Sequence, residues 1–394
     1  MGYEINRRTF LGSLGALAAA GTPLRAAPEA PTAPVAVAKV KTYAEQAAAI
    51  EKMMDQLGGL GKIVKGKTVN IKINFTGEAT SRLGYLPPSR SYWTHPETVG
   101  HMIRLIDKAG ARRIRVCEGV NWGNSLEEWM YKASWDIRAL QNAGNKVEFV
   151  QTGLPYPGKK PYTRFKVPNG GHLFPAYELN TVWAEADVLV SVTKVKEHTT
   201  AGVTIGMKNC FGITPCTIYG NGAGDLDEPL KAPRGGRQQI LHNGRQQPAK
   251  IALAEIDPKS PRQDTYRIPR CVADMAAALP TQLTVIEGIE TMAGGEGPWS
   301  ADARPCAPGI MFAGTNGVTV DAVGMALMGF DPMAERGTAP FERCDSQLKL
   351  AEALGVGTRD LKRIEVVGTP IAEAKFDIRA VPGKRPRAGR GFGG

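Results

Sequence analysis

The chain has 394 residues, of which 42% are hydrophobic, 22% charged and 7% aromatic. That balance excludes a disordered chain or a coiled coil and supplies enough apolar material for two domains or one large α/β domain. Of the formal net charge of +11, residues 1–27 hold +2 (Arg7, Arg8 and Arg25 against Glu4) and the tail 381–394 holds +4 (Lys384, Arg385, Arg387 and Arg390). The excess of +5 left on the rest of the chain suits a small anionic ligand and argues against a nucleic-acid-binding surface.

Arg7-Arg8-Thr9-Phe10-Leu11 opens a weakly apolar run that ends in small residues at Ala20. This order is that of a twin-arginine signal peptide over 1–27, so the expected location is the periplasm or another exported site, with the twin-arginine export machinery as a partner. The run is about half of what spans a bilayer, and no transmembrane segment is expected elsewhere. The route carries folded proteins, which admits a metal or organic cofactor without indicating one. The six cysteines, Cys117, Cys210, Cys216, Cys271, Cys306 and Cys344, lack Cys-x-x-Cys spacing, which argues against an iron-sulfur cluster. Cys210 and Cys216 are the nearest pair for a disulfide.

Residues 28–40, rich in Pro, Ala and Val, read as a linker. A first α/β lobe is expected over 41–180. Thr42 and Glu45 form a capping box before an Ala-rich helix ending at Gly58-Gly59, and Val69, Ile71, Ile73 and Phe75 alternate as a strand. After a Gly-, Pro- and Ser-rich loop, Thr94-His95-Pro96-Glu97 caps a helix running to Gly110, and the next strand delivers Glu118 at its end. Strand, helix, strand is a βαβ unit, so the sheet is parallel there. Ser125 and Glu128 cap a further helix. A second α/β lobe over 181–375 repeats this grammar, with strands at 186–192, 282–287, 310–314 and 363–367 and helices at 268–279, 317–328 and 346–354. Residues 220–263 lack periodicity and read as a loop or lid inserted into it, and 376–394 as a basic flexible tail. The fold class is therefore α/β: two lobes with mainly parallel sheets flanked by helices, and a cleft between them.

Chemistry concentrates in 194–212. Lys194, Lys196 and His198 share one face if the strand stays extended, and Lys208 and Asn209 follow closely. In open α/β sheets ligands sit beyond the carboxyl ends of strands, where basic groups suit a carboxylate or phosphate. Lys72 and Asn74 end the first strand's polar face, and His95 sits at a helix start where it can face a cleft; Lys72, Asn74, Lys194, Lys196, Lys208, Asn209 and His95 are the expected anion-binding set. His198 is the expected general acid or base because an ordinary imidazole titrates near neutral pH, with Glu118 and Glu296 as carboxylates that orient it or bind a metal. His242 acts from the lid if it acts at all, and Asp321 and Asn316 read as helix caps. His-Glu-x-x-His, Gly-x-Ser-x-Gly and P-loop motifs are all missing. The ligand metals, if any, the substrate and the oligomeric state stay open.

Taken together, Thr94-His95-Pro96-Glu97, Ala109-Gly110-Ala111 with Glu118, Lys194-x-Lys196-x-His198, Lys208-Asn209-x-Phe211-Gly212, Gly294-Gly295-Glu296-Gly297-Pro298 and Asp321-Ala322-Val323 resemble the domain of unknown function family 362 over about 65–330. Some relatives carry an appended ferredoxin segment, and this chain lacks its cysteines. The first βαβ unit is also similar, in its strand, loop and His-Pro helix pattern, to the N-terminal lobe of nickel-pincer lactate racemases, without their metal-ligand pattern. The resemblance implies a fold and little mechanism. The expected function is that of an exported enzyme binding a small anionic substrate or cofactor between lobes, with redox or isomerase chemistry unresolved. The alternative is a non-catalytic periplasmic anion- or metal-binding protein.

Overall fold

A computed structural model of the chain describes residues 29–120, 125–158, 160–225 and 236–383; the expected signal peptide 1–27, most of the tail and part of the insertion lie outside the described residues. In chain order the strands are β1 (Val35–Lys39), β2 (Thr68–Lys72), β3 (Arg113–Glu118), β4 (Val147–Gln151), β5 (Tyr162–Lys166), β6 (Ala176–Asn180) and β7 (Val188–Lys194). They continue with β8 (Lys196–His198), β9 (Gly202–Thr204), β10 (Leu283–Gly288), β11 (Thr291–Ala293), β12 (Arg304–Cys306), β13 (Ile310–Gly314) and β14 (Val366–Gly368). Eight of them form one sheet in the order β14-β1-β13-β10-β7-β2-β3-β4, and the others pair as the small hairpins β5/β6, β8/β9 and β11/β12. Within the large sheet β13 runs against its two neighbours and every other pairing is parallel.

The α/β class and the mainly parallel sheet agree with the reading of the sequence. The strands on either side of residue 180 join edge to edge, because β7 pairs with β2 from Val69↔Val188 to Lys72↔Ser191. Parallel strands covered on both faces must be apolar on both, and β2, β7 and β10 are buried along their whole length. On one face Val69, Ile71, Val116, Val190 and Val285 meet the helices Gln46–Gln56 and Pro96–Lys108 in one core. On the other, Leu189, Ile286 and Phe312 meet Asp264–Ala278 and Gly317–Leu327 in a second core.

Several expectations need correction. Residues 28–40 are not a linker: Val35, Ala36 and Val37 are buried, and β1 is hydrogen-bonded along both edges, to β13 and β14. Their lack of polar alternation reflects a strand covered on both faces. The stretch from 376 begins anchored, with Asp377 capping the turn Ile378–Ala380 and Ile378 fully buried. The insertion contributes the π-helix Gln238–His242, with Ile240 and Leu241 buried. Helix Pro96–Lys108 is capped by His95, whose Nδ1 accepts the Glu97 amide at 3.3 Å, while Thr94 instead donates to the Val192 carbonyl. Asp321 does not serve its own helix. It accepts the amides of Gly206 (2.8 Å) and Met207 (3.1 Å) and so starts the neighbouring helix Gly206–Cys210. Burial pushes its carboxyl up to about 8 against these two donors. All six cysteines are free thiols, Cys210 and Cys216 included. No described helix is long and apolar enough to cross a membrane.

Candidate functional site

Four neighbouring parallel strands end in charged residues: Glu287 on β10, Lys194 on β7, Lys72 on β2 and Glu118 on β3. Read across the sheet the two lysines stand side by side between the two glutamates, and the row resolves into two buried ion pairs. Lys194 meets Glu287 at 2.8 Å and Lys72 meets Glu118 at 2.8 Å. The chain leaves β2 through helix Pro96–Lys108 on one face and β7 through helix Asp264–Ala278 on the other. Adjacent strands whose connections diverge in this way open a crevice above their carboxyl ends. A cavity of about 440 Å³ lies there, walled from one half of the chain by Lys72, Asn74 and Glu118 and from the other by His198, Lys208 and Glu296.

The floor is saturated. The Lys72 ammonium also donates to the Ile73 carbonyl (2.6 Å) and to Asn209 Oδ1 (3.3 Å). Glu118 accepts the Phe75 and Gly119 amides at 2.8 and 2.7 Å. Asn209 bridges Asn74, the Lys72 carbonyl and Ser191 Oγ. Gly212 of the Lys-Asn-x-Phe-Gly segment closes over the pair, and a Cβ there would sit 3.1 Å from Lys72 Nζ and 3.2 Å from Glu118 Oε1. Lys72, Asn74, Glu118 and Asn209 thus converge as expected positions, but with partners already chosen. Glu118 is an ion-pair partner and amide acceptor, not a free acid or base.

Three expected residues do not reach the cavity wall. Extended geometry stops at Lys194, after which the chain turns into the β8/β9 hairpin, so Lys194, Lys196 and His198 do not share a face. Lys194 is sealed among Glu287, the Tyr43 hydroxyl (3.0 Å) and the Glu290 carbonyl (2.7 Å). His95 stacks on Tyr43 at 3.6 Å in the same cluster and donates its amide to Glu287. Lys196 lies behind the wall, donating to Asn74 Oδ1 (3.0 Å) and the Tyr92 carbonyl (2.5 Å), and burial together with Lys194 and Lys208 brings its ammonium down to about 7.

The working face is formed by His198, Glu296, Lys208 and His242. The Thr200 amide donates to His198 Nδ1 at 3.2 Å, which fixes the proton of the neutral ring on Nε2. Burial, then Lys208, holds this imidazole far below its ordinary value. Glu296 stands 3.9 Å from His198 Nδ1. Burial opposes its charge, yet the Thr199 amide (3.0 Å) and the Trp299 indole N–H (3.0 Å) help keep its carboxyl below the usual range. It is an ionised acceptor at neutral pH.

Lys208 differs from every other cation here. Its ammonium lies 4.5 Å from the centre of the Phe211 ring and, among the described residues, has no hydrogen bond or ion pair. Burial lowers it to about 8, so it remains charged at pH 7. His242 meets Phe211 edge-on at 5.5 Å, and burial, then Lys208 and Arg237, lowers it to about 3. With both imidazoles neutral, and Lys72 and Glu118 paired with each other, Lys208 stands on the wall as a cation without an ion pair among the described residues. No three described His, Cys, Asp or Glu side chains converge as a metal cage.

The pattern of the family described as a domain of unknown function (DUF362) matches residues 69–326. The chain belongs to this family. The matched DUF362 region begins in β2 and ends in helix Gly317–Leu327, and so contains every described cavity residue. Among solved structures the chain is similar to the lactate racemase apoprotein from Thermoanaerobacterium thermosaccharolyticum, with 15% identity, 70% of this chain and 54% of that chain covered, and a TM-score of 0.35. It is also similar to a structural-genomics protein from Thermotoga maritima, with 10% identity, 68% and 55% covered, and a TM-score of 0.34. This chain spans about half the length of each. No protein in the curated set matches.

Cavity residues that escaped sequence reading in this DUF362 chain are Thr199, Thr200, Arg237, Gln238 and Trp299. The only signal for Trp299 was its place beside Gly297-Pro298. Arg237 gave none: it reaches the cavity through Thr214, Gly119 and Gly212 carbonyls that lie far away in sequence.

Proposed function

We propose that this is an exported enzyme that binds a small carboxylate or phosphate above the β2/β7 junction, with Lys208 as the anion's partner and His198 as the proton donor. The observation that carries the reading is the Lys208 ammonium on the cavity wall, which among the described residues has no hydrogen bond or ion pair, while Lys72 and Glu118 pair with each other. An ammonium so placed gains a charge-assisted hydrogen bond when an anion enters, at little reorganisation.

Binding also retunes the acid-base groups. Burial first and Lys208 second depress the His198 and His242 imidazoles, so an anion that neutralises Lys208 removes the second cause and moves both upward. In the empty site His198 is a donor through Nε2–H and too weak a base to take a proton. In the filled site, once its basicity has risen, the ring first takes up a proton to become imidazolium, and it is the imidazolium that gives the Nε2 proton to the ligand and returns to the neutral ring. The choice between redox and isomerase turnover rests on the ligand. Export rests on the Arg7-Arg8 segment.

The test titrates wild type and Lys208→Met with acetate, lactate and phosphate while the histidine ring resonances are followed by NMR. Saturable binding in wild type, an upward move of the His198 and His242 titrations, and loss of both in Lys208→Met are expected. Lack of binding in wild type overturns the reading. A receptor is separated from an enzyme by His198→Ala, which in an enzyme abolishes solvent deuterium entry into a bound 2-hydroxy acid while leaving affinity near wild type.

A further inference from the structure

We propose that the ligand's anionic head is joined to a planar, π-conjugated body that lies against the Trp299 indole; this rests on the Lys208 reading above and names the ligand class for that site. Trp299 is 49% exposed, whereas Trp93, Trp129, Trp135 and Trp183 are each 5% exposed or less. It lines the same cavity as Lys208. A half-open indole would be unremarkable on a loose surface loop, but this one is held. Its N–H donates to Glu296 Oε1 at 3.0 Å, and its ring meets Tyr92 edge-on at 5.6 Å. A Cβ at either Gly77 or Gly297 would lie 2.3 Å from its ring carbons, so any other residue at those positions would displace the indole.

The ring is therefore an apolar plane whose orientation is settled before a ligand arrives, and covering it carries little ordering cost. Three physical alternatives for the occupant differ in what they gain. A cationic body would find an aromatic face but would meet the Lys208 ammonium on the same wall. A saturated body gains only the area it covers. A planar conjugated body gains that area and the stacking contribution beyond it, and the carboxylate or phosphate it carries pairs with Lys208.

The experiment compares shape-matched anions, benzoate against cyclohexanecarboxylate and phenyl phosphate against cyclohexyl phosphate, by calorimetry and Trp fluorescence. Wild type should bind the aromatic member of a pair about fivefold tighter. Trp299→Leu should equalise the pair, Trp299→Phe should restore the preference without the Glu296 hydrogen bond, and Lys208→Met should weaken both members alike. Equal affinities in wild type, no binding of either member, or a preference that survives in Trp299→Leu overturns the proposal. If Lys208→Met binds as wild type does while the aromatic preference persists, it is the Lys208 reading that falls and the stacking surface that stands.

Discussion

Replacing Lys208 with Met removes the charge and keeps an unbranched side chain against the Phe211 ring. Burial brings this ammonium from 10.5 to about 8. At neutral pH the folded protein therefore holds a cation that would be better placed in water, a penalty of about 2 kcal/mol once partial exposure of the residue is allowed for. Because the folded value is depressed, the unfolded chain binds more protons than the native one between about 8 and 10.5, and wild-type stability rises with pH across that window. Lys208→Met should then be the more stable protein at pH 7 by about 2 kcal/mol, with the difference vanishing near pH 10.5. The same variant should lose anion affinity by about 10- to 100-fold, the range of one charge-assisted hydrogen bond. Urea unfolding at pH 7 and at pH 10 measures the first effect and calorimetry with phosphate the second. A variant that is less stable at pH 7 and binds phosphate unchanged would show that Lys208 already has a structural partner, and the argument for an anion site would collapse.

Glu118→Gln should cost about 3 kcal/mol in urea unfolding, because it leaves the Lys72 ammonium buried at 1% exposure without its carboxylate; an unchanged midpoint would refute the ion-pair role. His95 and His242 both titrate well below the ordinary imidazole value, to about 3. Their stabilising contribution is complete above about pH 6.5 and is lost as pH falls toward 3, by about 1.4 kcal/mol per pH unit for each ring. His95→Phe, which keeps a ring against Tyr43, should flatten the acid limb of the stability curve by that slope, as read from urea midpoints between pH 4 and 6. An acid limb as steep as wild type would show that His95 is protonated in the folded state.

The α/β class, the parallel βαβ unit and most element positions were legible from local pattern. Buried strands declare themselves by apolar runs, as at Leu283–Gly288 and Ile310–Gly314, and caps such as Asn316, which accepts the Val318 and Thr319 amides, are chemistry within one turn. β1 carries no such signal, because a strand of Ala and Val covered on both faces and flanked by Pro has the composition of a linker.

The sequence by itself also determined which residue types stand near strand ends, Lys72, Glu118 and Lys194 among them. Only the tertiary structure decided which of those charges cancel. Register places β7 between β10 and β2, so Lys194 turns to Glu287 and Lys72 to Glu118. Lys208 rides on a helix that Asp321 starts from more than a hundred residues away. Pairing between charges depends on distances of a few ångströms set by packing, and no local pattern in the chain encodes those distances.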